Sequence, residues 1–250
     1  MSTVTMRLPR RSALDRRTAM RLARTEYGRF ADALNSVGPA EWTLPTDCPG
    51  WDVRAMASHV LGMASLAASV REGGRQRKLA LHGDGEFIDE LTALQVRERQ
   101  QMSGADIAAQ FAEEGRRAAR GRRRTPWFIR RRPMPVAQDV GGTPETWTIG
   151  FVNDVILTRD TWMHRVDLAR ATQRPFVSTA DHDGVLVADV VAEWAGRHSA
   201  DYDLTLTGAA GGTWSRGAGG EVITMDAVDF CRSLSGRAPQ PGLLCVPVPF

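Results

Sequence analysis

"RDTWMHRVDLARAT" (residues 159–172) decides how this chain is read, because it is helical in pattern yet carries a histidine among acids. On a helix Asp160 and His164 stand one turn apart on the same face, and Asp167 follows three residues later. Two ligand-type side chains so placed form half of a metal site. The same spacing also arises on a solvated helix with a polar stripe, and spacing alone leaves both readings open. Upstream, "TPETWTIGFVNDVIL" (143–157) extends the helical periodicity through Ile149, Val152 and Ile156, and Met163 continues it.

Moving outward, "WDVRAMASHVLGMASLAASVRE" (51–72) places Val53, Met56, Val60, Met63 and Ala67 on one stripe with His59 at its border. If this helix packs beside the first, His59 supplies a third ligand and leaves a position open for water or substrate, as catalytic zinc sites do. Residues from about Ser12 to Asn35 predict another amphipathic helix, with Leu14, Ala19, Leu22, Ala23, Tyr27, Phe30 and Leu34 on its apolar side. Between them "GPAEWTLPTDCPGW" (38–51) reads as an ordered loop anchored by Trp42 and Trp51. A long polar helix pattern covers Glu86 to Arg120, interrupted near Ser103 and Gly104. Four helices thus account for residues up to about 175, with the metal site expected to face a cleft.

The character then changes. "DHDGVLVADVVAEWAGRH" (181–198) predicts a helix, and "YDLTLTG", "GGTWSRG" and "EVITM" predict short strands separated by glycine turns. A short helix from Asp226 to Leu234, the loop "SGRAPQPG" and a terminal strand "LLCVPV" complete a small α+β unit. The expected division is 1–175 and 176–250, with a packed junction near 173–180.

Composition narrows the function classes. The chain has 250 residues, 42% of them hydrophobic, which suffices for an ordinary core. No run of eighteen apolar residues occurs, and "MSTVTMRLPRRSALDRR" lacks the apolar core of a secretory signal, so a cytoplasmic location is expected. The three cysteines include no CxxC pair, which argues against both a disulfide framework and a cysteine zinc site. Cys48 has no histidine or basic residue nearby in sequence to activate it and reads as a packing residue of its loop. His82, His182 and His198 lie in polar sequence and read as solvated. The net charge of +3 conceals a cluster from Arg116 to Arg132 with nine arginines, no acid, and Trp127 and Phe128 among them. Such a cluster can grip nucleic-acid phosphates, but a nucleic-acid module would leave the His59, Asp160 and His164 pattern without a purpose.

"WTLPTDCPGWDVRAMASHVLGM" together with "LTRDTWMHRVDLARAT" resembles the mycothiol-dependent maleylpyruvate isomerase family, a branch of the DinB-like four-helix metalloproteins. The resemblance implies an α+β chain: an N-terminal DinB-like four-helix bundle followed by a small sterol-carrier-protein-like domain. It implies a divalent metal, zinc in the family's usual reading, on His59, Asp160 and His164, with Asp167 behind them to fix an imidazole tautomer. The family pattern has glutamate where this chain has Asp160, one methylene shorter. "LSGR" (234–237) resembles a family segment whose arginine matters for activity, which makes Arg237 the candidate catalytic residue, anchoring a substrate carboxylate. Mycothiol, the thiol of actinobacteria, is the implied cosubstrate, and the high arginine, alanine and glycine usage is compatible with such a source. The implied activity is thiol-dependent cis–trans isomerisation or S-transfer to a small electrophile. The alternative is an accessory protein that retains the fold without catalysis.

Overall fold

The computed structural model describes Arg10 and residues 13–250. Most of the basic N-terminal stretch, and the expected helix start at Ser12, lie outside the described residues. Helix α1 (Arg16–Asn35) begins instead at Asp15, whose carboxylate accepts from the backbone N–H groups of Arg17 and Thr18. Asp52 caps α2 (Val53–Ala68) and Ser103 caps α5 (Gly104–Arg124) in the same way. The fourth long helix, α8 (Leu157–Ala171), follows a short α7 (Ile149–Phe151) and one π-helical turn over Val152–Ile156. Helix α1 packs on α5 and α8, and α2 packs on the same pair, which closes a ring of four. Tyr27, Phe30, Met56, Leu61, Phe111 and Leu168 are among the side chains that fill it. Each large apolar side chain buried there contributes roughly 1.5–3 kcal/mol.

The helical part is more divided than four periodic segments imply. Helix α3 (Val70–Ala80) was not expected from its polar, glycine-containing sequence; Ser69 caps it, and Gln76 is buried beneath it. The stretch from Glu86 resolves into α4 (Phe87–Arg99) and α5, broken where Ser103 starts a new cap. After α5 come a single turn, α6 (Trp127–Arg130), and a hairpin of β1 (Gln138–Val140) and β2 (Thr143–Glu145).

Beyond α8, helix α9 (Asp183–Arg197) precedes β3 (Tyr202–Thr207), β4 (Gly212–Arg216) and β5 (Glu221–Asp226), then α10 (Ala227–Leu234). The sheet order is β4-β3-β5, with β3 antiparallel to β4 and parallel to β5. Alternation along β3 turns Tyr202, Leu204 and Leu206 inward against Trp194 and Phe230. The same core includes Trp162, Met163 and Val166 of α8 and Leu22 of α1, so α8 serves two cores. The expected terminal strand is absent: Gly242–Cys245 is a 3₁₀ turn, and Pro247 and Pro249 remove donors a strand would need. The architecture is α+β. Among the described residues no helix is long and apolar enough to cross a membrane.

Candidate metal centre

His59 projects from the middle of α2, and Asp160 and His164 from α8, the helix packed beside it. Asp160 Oδ1 lies 3.3 Å from His59 Nε2 and 3.4 Å from His164 Nε2. The two imidazoles are edge to face with ring centroids 5.3 Å apart. Four ligands at zinc distances in a tetrahedron stand about 3.3 Å from one another, so these atoms are spaced as a bound ion requires. Asp160 Oδ2 is buried without a hydrogen-bond partner. His59 and His164 are 4% and 5% exposed, which makes an unpaired carboxylate oxygen at this position costly without a cation. The shorter aspartate side chain places Oδ1 within 3.4 Å of both Nε2 atoms.

The charges also favour a cation. Burial pushes the Asp160 carboxyl up, but the charges and hydrogen bonds of His59 and His164 outweigh it and hold that carboxyl well below the usual carboxylate range. Burial likewise lowers His164, and Asp160, Asp167 and Cys48 together raise it well above the ordinary imidazole value. A pocket that stabilises a proton on His164 stabilises a metal ion by the same carboxylates.

Each imidazole is oriented from behind. Asp167 Oδ2 accepts from His164 Nδ1 at 3.0 Å, as its position three residues on implied. His59 Nδ1 donates to Gln95 Oε1 of α4 at 2.8 Å. With both Nδ1 atoms donating outward, Nε2 of each ring faces Asp160 Oδ1, where it shares a proton with that carboxylate and would turn its lone pair to a cation that displaced the proton. Gln95 is fully buried, and its amide donates to Gln76 Oε1 at 2.9 Å, which continues to Glu72 at the surface of α3. No sequence signal singled out Gln95, since it sits on a different helix, 36 residues away.

The loop before α2 contributes more than packing. Cys48, Pro49 and Gly50 form a tight turn in which Trp51 N–H donates to Cys48 O, and Gly50 takes φ +78°, a value that favours glycine. The turn points Cys48 inward. Its Sγ donates to Asp167 Oδ2 at 3.4 Å and lies 3.7 Å from both His164 Nδ1 and Arg237 Nη2. The expectation that Cys48 lacks a histidine or basic neighbour is therefore corrected, because the fold supplies both from distant sequence. The turn also lays Trp51 across the two imidazoles, with centroids 5.2 and 6.3 Å away. This indole covers one side of the imidazoles, and Asp160 stays part-exposed beside them.

Arg237 reaches the centre from beyond α10. Its Nε donates to Asp167 Oδ1 at 2.8 Å and its Nη2 to Asp167 Oδ2 at 2.9 Å. The guanidinium is thus a partner of Asp167 before it is an anion anchor, while Nη1 makes no hydrogen bond among the described residues. Hydrogen bonds from His164 and Arg237 outweigh burial and hold the Asp167 carboxyl below its usual value.

The remaining candidates separate. His82 is exposed, as expected. His182 is not solvated: it is 1% exposed and pairs with Glu26 Oε2 at 2.6 Å. His198 is half-buried against Trp194 and Tyr202. Glu26, His182 and Asp183 form a second cluster of ligand-type groups, but Arg165 donates to both carboxylates and supplies the positive charge there. In the arginine cluster, Arg122 is buried and bonded to Asn153 O and Thr158, Arg130 pairs with Asp154, and Arg117 pairs with Glu114. The cluster is several structures, not one surface.

The family profile described as the mycothiol maleylpyruvate isomerase N-terminal domain matches residues 23–169, the span that holds His59, Asp160 and His164. The crystal structure of the mycothiol-dependent maleylpyruvate isomerase is similar over 95% of this chain and 98% of that one, with TM-score 0.60 and 16% identity. A mutant of that isomerase, with one histidine replaced by alanine, gives TM-score 0.59 at the same identity and coverage. No curated protein matches the sequence. At this identity the structural likeness establishes the fold.

Proposed function

Because the chain belongs to the mycothiol maleylpyruvate isomerase family, we propose that it is a metal-dependent enzyme using mycothiol as thiol cosubstrate, held on His59, Asp160 and His164 through a divalent cation. The observation that supports this reading most is the convergence of two oriented Nε2 atoms on one carboxylate oxygen. Zinc suits two imidazoles and one carboxylate. Bound there, a divalent cation would lower the pKa of a coordinated thiol and favour the thiolate at neutral pH.

The chain's own groups then have distinct tasks. Gln95 and Asp167 keep the two imidazoles in the ligating tautomer, and Asp160 brings the negative charge that attracts the cation. Trp51 shields one side of the two imidazoles. Arg237 positions Asp167 and presents Nη1 to a substrate carboxylate, a charge-assisted contact.

For isomerisation, the thiolate sulfur adds to one carbon of a conjugated cis alkene, and the former double bond rotates. The enolate's electron pair then re-forms the carbon–carbon double bond as the carbon–sulfur bond breaks, and sulfur leaves as the same thiolate that added. For S-transfer, sulfur displaces a leaving group from a small electrophile and stays attached. Either reaction belongs in the cytoplasm of a mycothiol-producing actinobacterium.

The assay is consumption of maleylpyruvate, and separately of a bromobimane electrophile, by the purified protein with and without mycothiol. We expect turnover of at least one substrate that requires the thiol. Arg237→Ala should lower kcat/KM about tenfold or more while metal content holds, the scale of a lost charged hydrogen bond. Absence of thiol-dependent turnover with both substrates contradicts the catalytic reading and favours an accessory protein.

A further inference from the structure

The α1–α5 edge of the bundle lies opposite the α2–α8 edge that carries the metal ligands, and it holds a groove of about 920 Å³. The two helices are antiparallel there: Arg16 of α1 donates to the carbonyls of Arg123 and Thr125, while Tyr27 packs against Phe111. Arg17, Arg21 and Arg24 line one wall and Arg116, Arg120 and Arg123 the other. All six are exposed. Among the described residues none of them forms an ion pair; Arg21 donates to the backbone carbonyl of Asp181. Arg75, Arg159, Arg165 and Arg197 by contrast each engage two carboxylates; other arginines without an ion pair among the described residues, such as Arg54, Arg71 and Arg97, are not gathered along one groove.

Both walls carry their arginines at i, i+4 and i+7, so the charges form two facing ladders with rungs about 6 and 4.5 Å apart along the axis. Between them the floor is small and apolar, made by Ala31, Ala112 and Ala119; Gly28 continues the exposed arginine stripe of α1, and Asp32 follows at its end. Tyr27 is buried in the floor, edge-on to Phe111, and offers no free ring face on which a base could stack. Because the walls are antiparallel, a helix with acids at i, i+4, i+7 on one edge of an apolar stripe and at i, i+3, i+7 on the other faces both ladders. The small floor residues let its backbone come close.

We propose that this groove is a docking surface for an acidic amphipathic helix of a partner protein. Two unpaired arginine ladders flanking an apolar floor carry the inference, independently of the metal centre.

The test is fluorescence anisotropy on the full chain. The probe is a fluorescein-labelled, end-capped peptide of about 18 residues, long enough to form a marginal helix. It is made of Glu, Leu and Ala, with glutamates on both edges of a leucine stripe. We expect saturable binding that weakens with salt and drops about tenfold or more in the Arg17→Glu, Arg21→Glu, Arg120→Glu variant. Gly28→Glu should weaken it as well, because it puts an acid on the arginine stripe of α1 where an added Cβ meets nothing within 4 Å and the fold is undisturbed. Circular dichroism checks that both variants keep their helices. Equal binding by a scrambled peptide of the same composition, or by oligothymidylate, overturns the proposal in favour of a general polyanion surface. No binding of the helical probe, or wild-type binding by the Arg17→Glu, Arg21→Glu, Arg120→Glu variant, overturns it outright.

Discussion

At the scale of single residues, the orientation of His59 depends on one acceptor. With Gln95 replaced by Leu, the His59 Nδ1–H loses its partner and the ring is free to rotate or to exchange tautomers. Loss of such an outer partner costs roughly 10–100-fold in metal affinity. Competition for zinc against a chromogenic chelator should show that loss for Gln95→Leu and little of it for Gln95→Glu, which retains an acceptor; equal affinity for wild type and Gln95→Leu would exclude the assigned role. That His59, Asp160, His164 and Asp167 come together is legible in the sequence, because helical spacing and the resemblance place them on facing helices. Gln95, Cys48 and the Arg237–Asp167 pair are not, because contacts spanning 36, 116 and 70 residues are made only by the fold.

At the scale of elements, the approach of α4 to α2 brings Gln95 within reach of His59, and Gly62 permits that approach. A Cβ at Gly62 would fall inside the Gln95 side chain. Gly62→Ala should therefore force the helices apart, costing about 1–3 kcal/mol as overpacking does, and should weaken zinc binding with it. Urea unfolding and the chelator competition read the two effects, and a stable variant with intact affinity would show that the contact yields freely. Apolar stripes made α1, α2, α8, α9 and β3 readable. Helix α3 escaped because its apolar face is mostly glycine and a buried glutamine, and the terminal strand failed because prolines outweigh a short apolar run.

At the scale of the whole molecule, α8 joins the bundle to the sheet layer through a buried ionic network. Arg165 donates to Glu26 and Asp183, Arg29 and Trp162 also donate to Asp183, and His182 pairs with Glu26. Burial alone would raise the Asp183 carboxyl, but Arg165 and the hydrogen bonds bring it to about 2, against an ordinary 3.8. A depressed carboxylate gives stability that is complete above its unfolded value and is lost as pH falls through the folded one. The window is thus about pH 4 down to 2, and the shift corresponds to about 2 kcal/mol. Asp183→Asn should lower stability at neutral pH and flatten that part of the acid limb in denaturant titrations. An unchanged slope would locate the acid sensitivity elsewhere. Sequence reading took His182 as solvated because its neighbours are polar; those neighbours are polar because they form this network.

The central claim is that His59, Asp160 and His164 hold a metal ion. The most direct measurement is metal per chain by inductively coupled plasma mass spectrometry, on protein purified without chelator and on the His59→Ala, His164→Ala variant. We predict near-stoichiometric metal, zinc foremost, in the wild type and its loss in a variant that keeps its helical circular dichroism. Little metal in both proteins, or the same occupancy in both, would contradict the assignment.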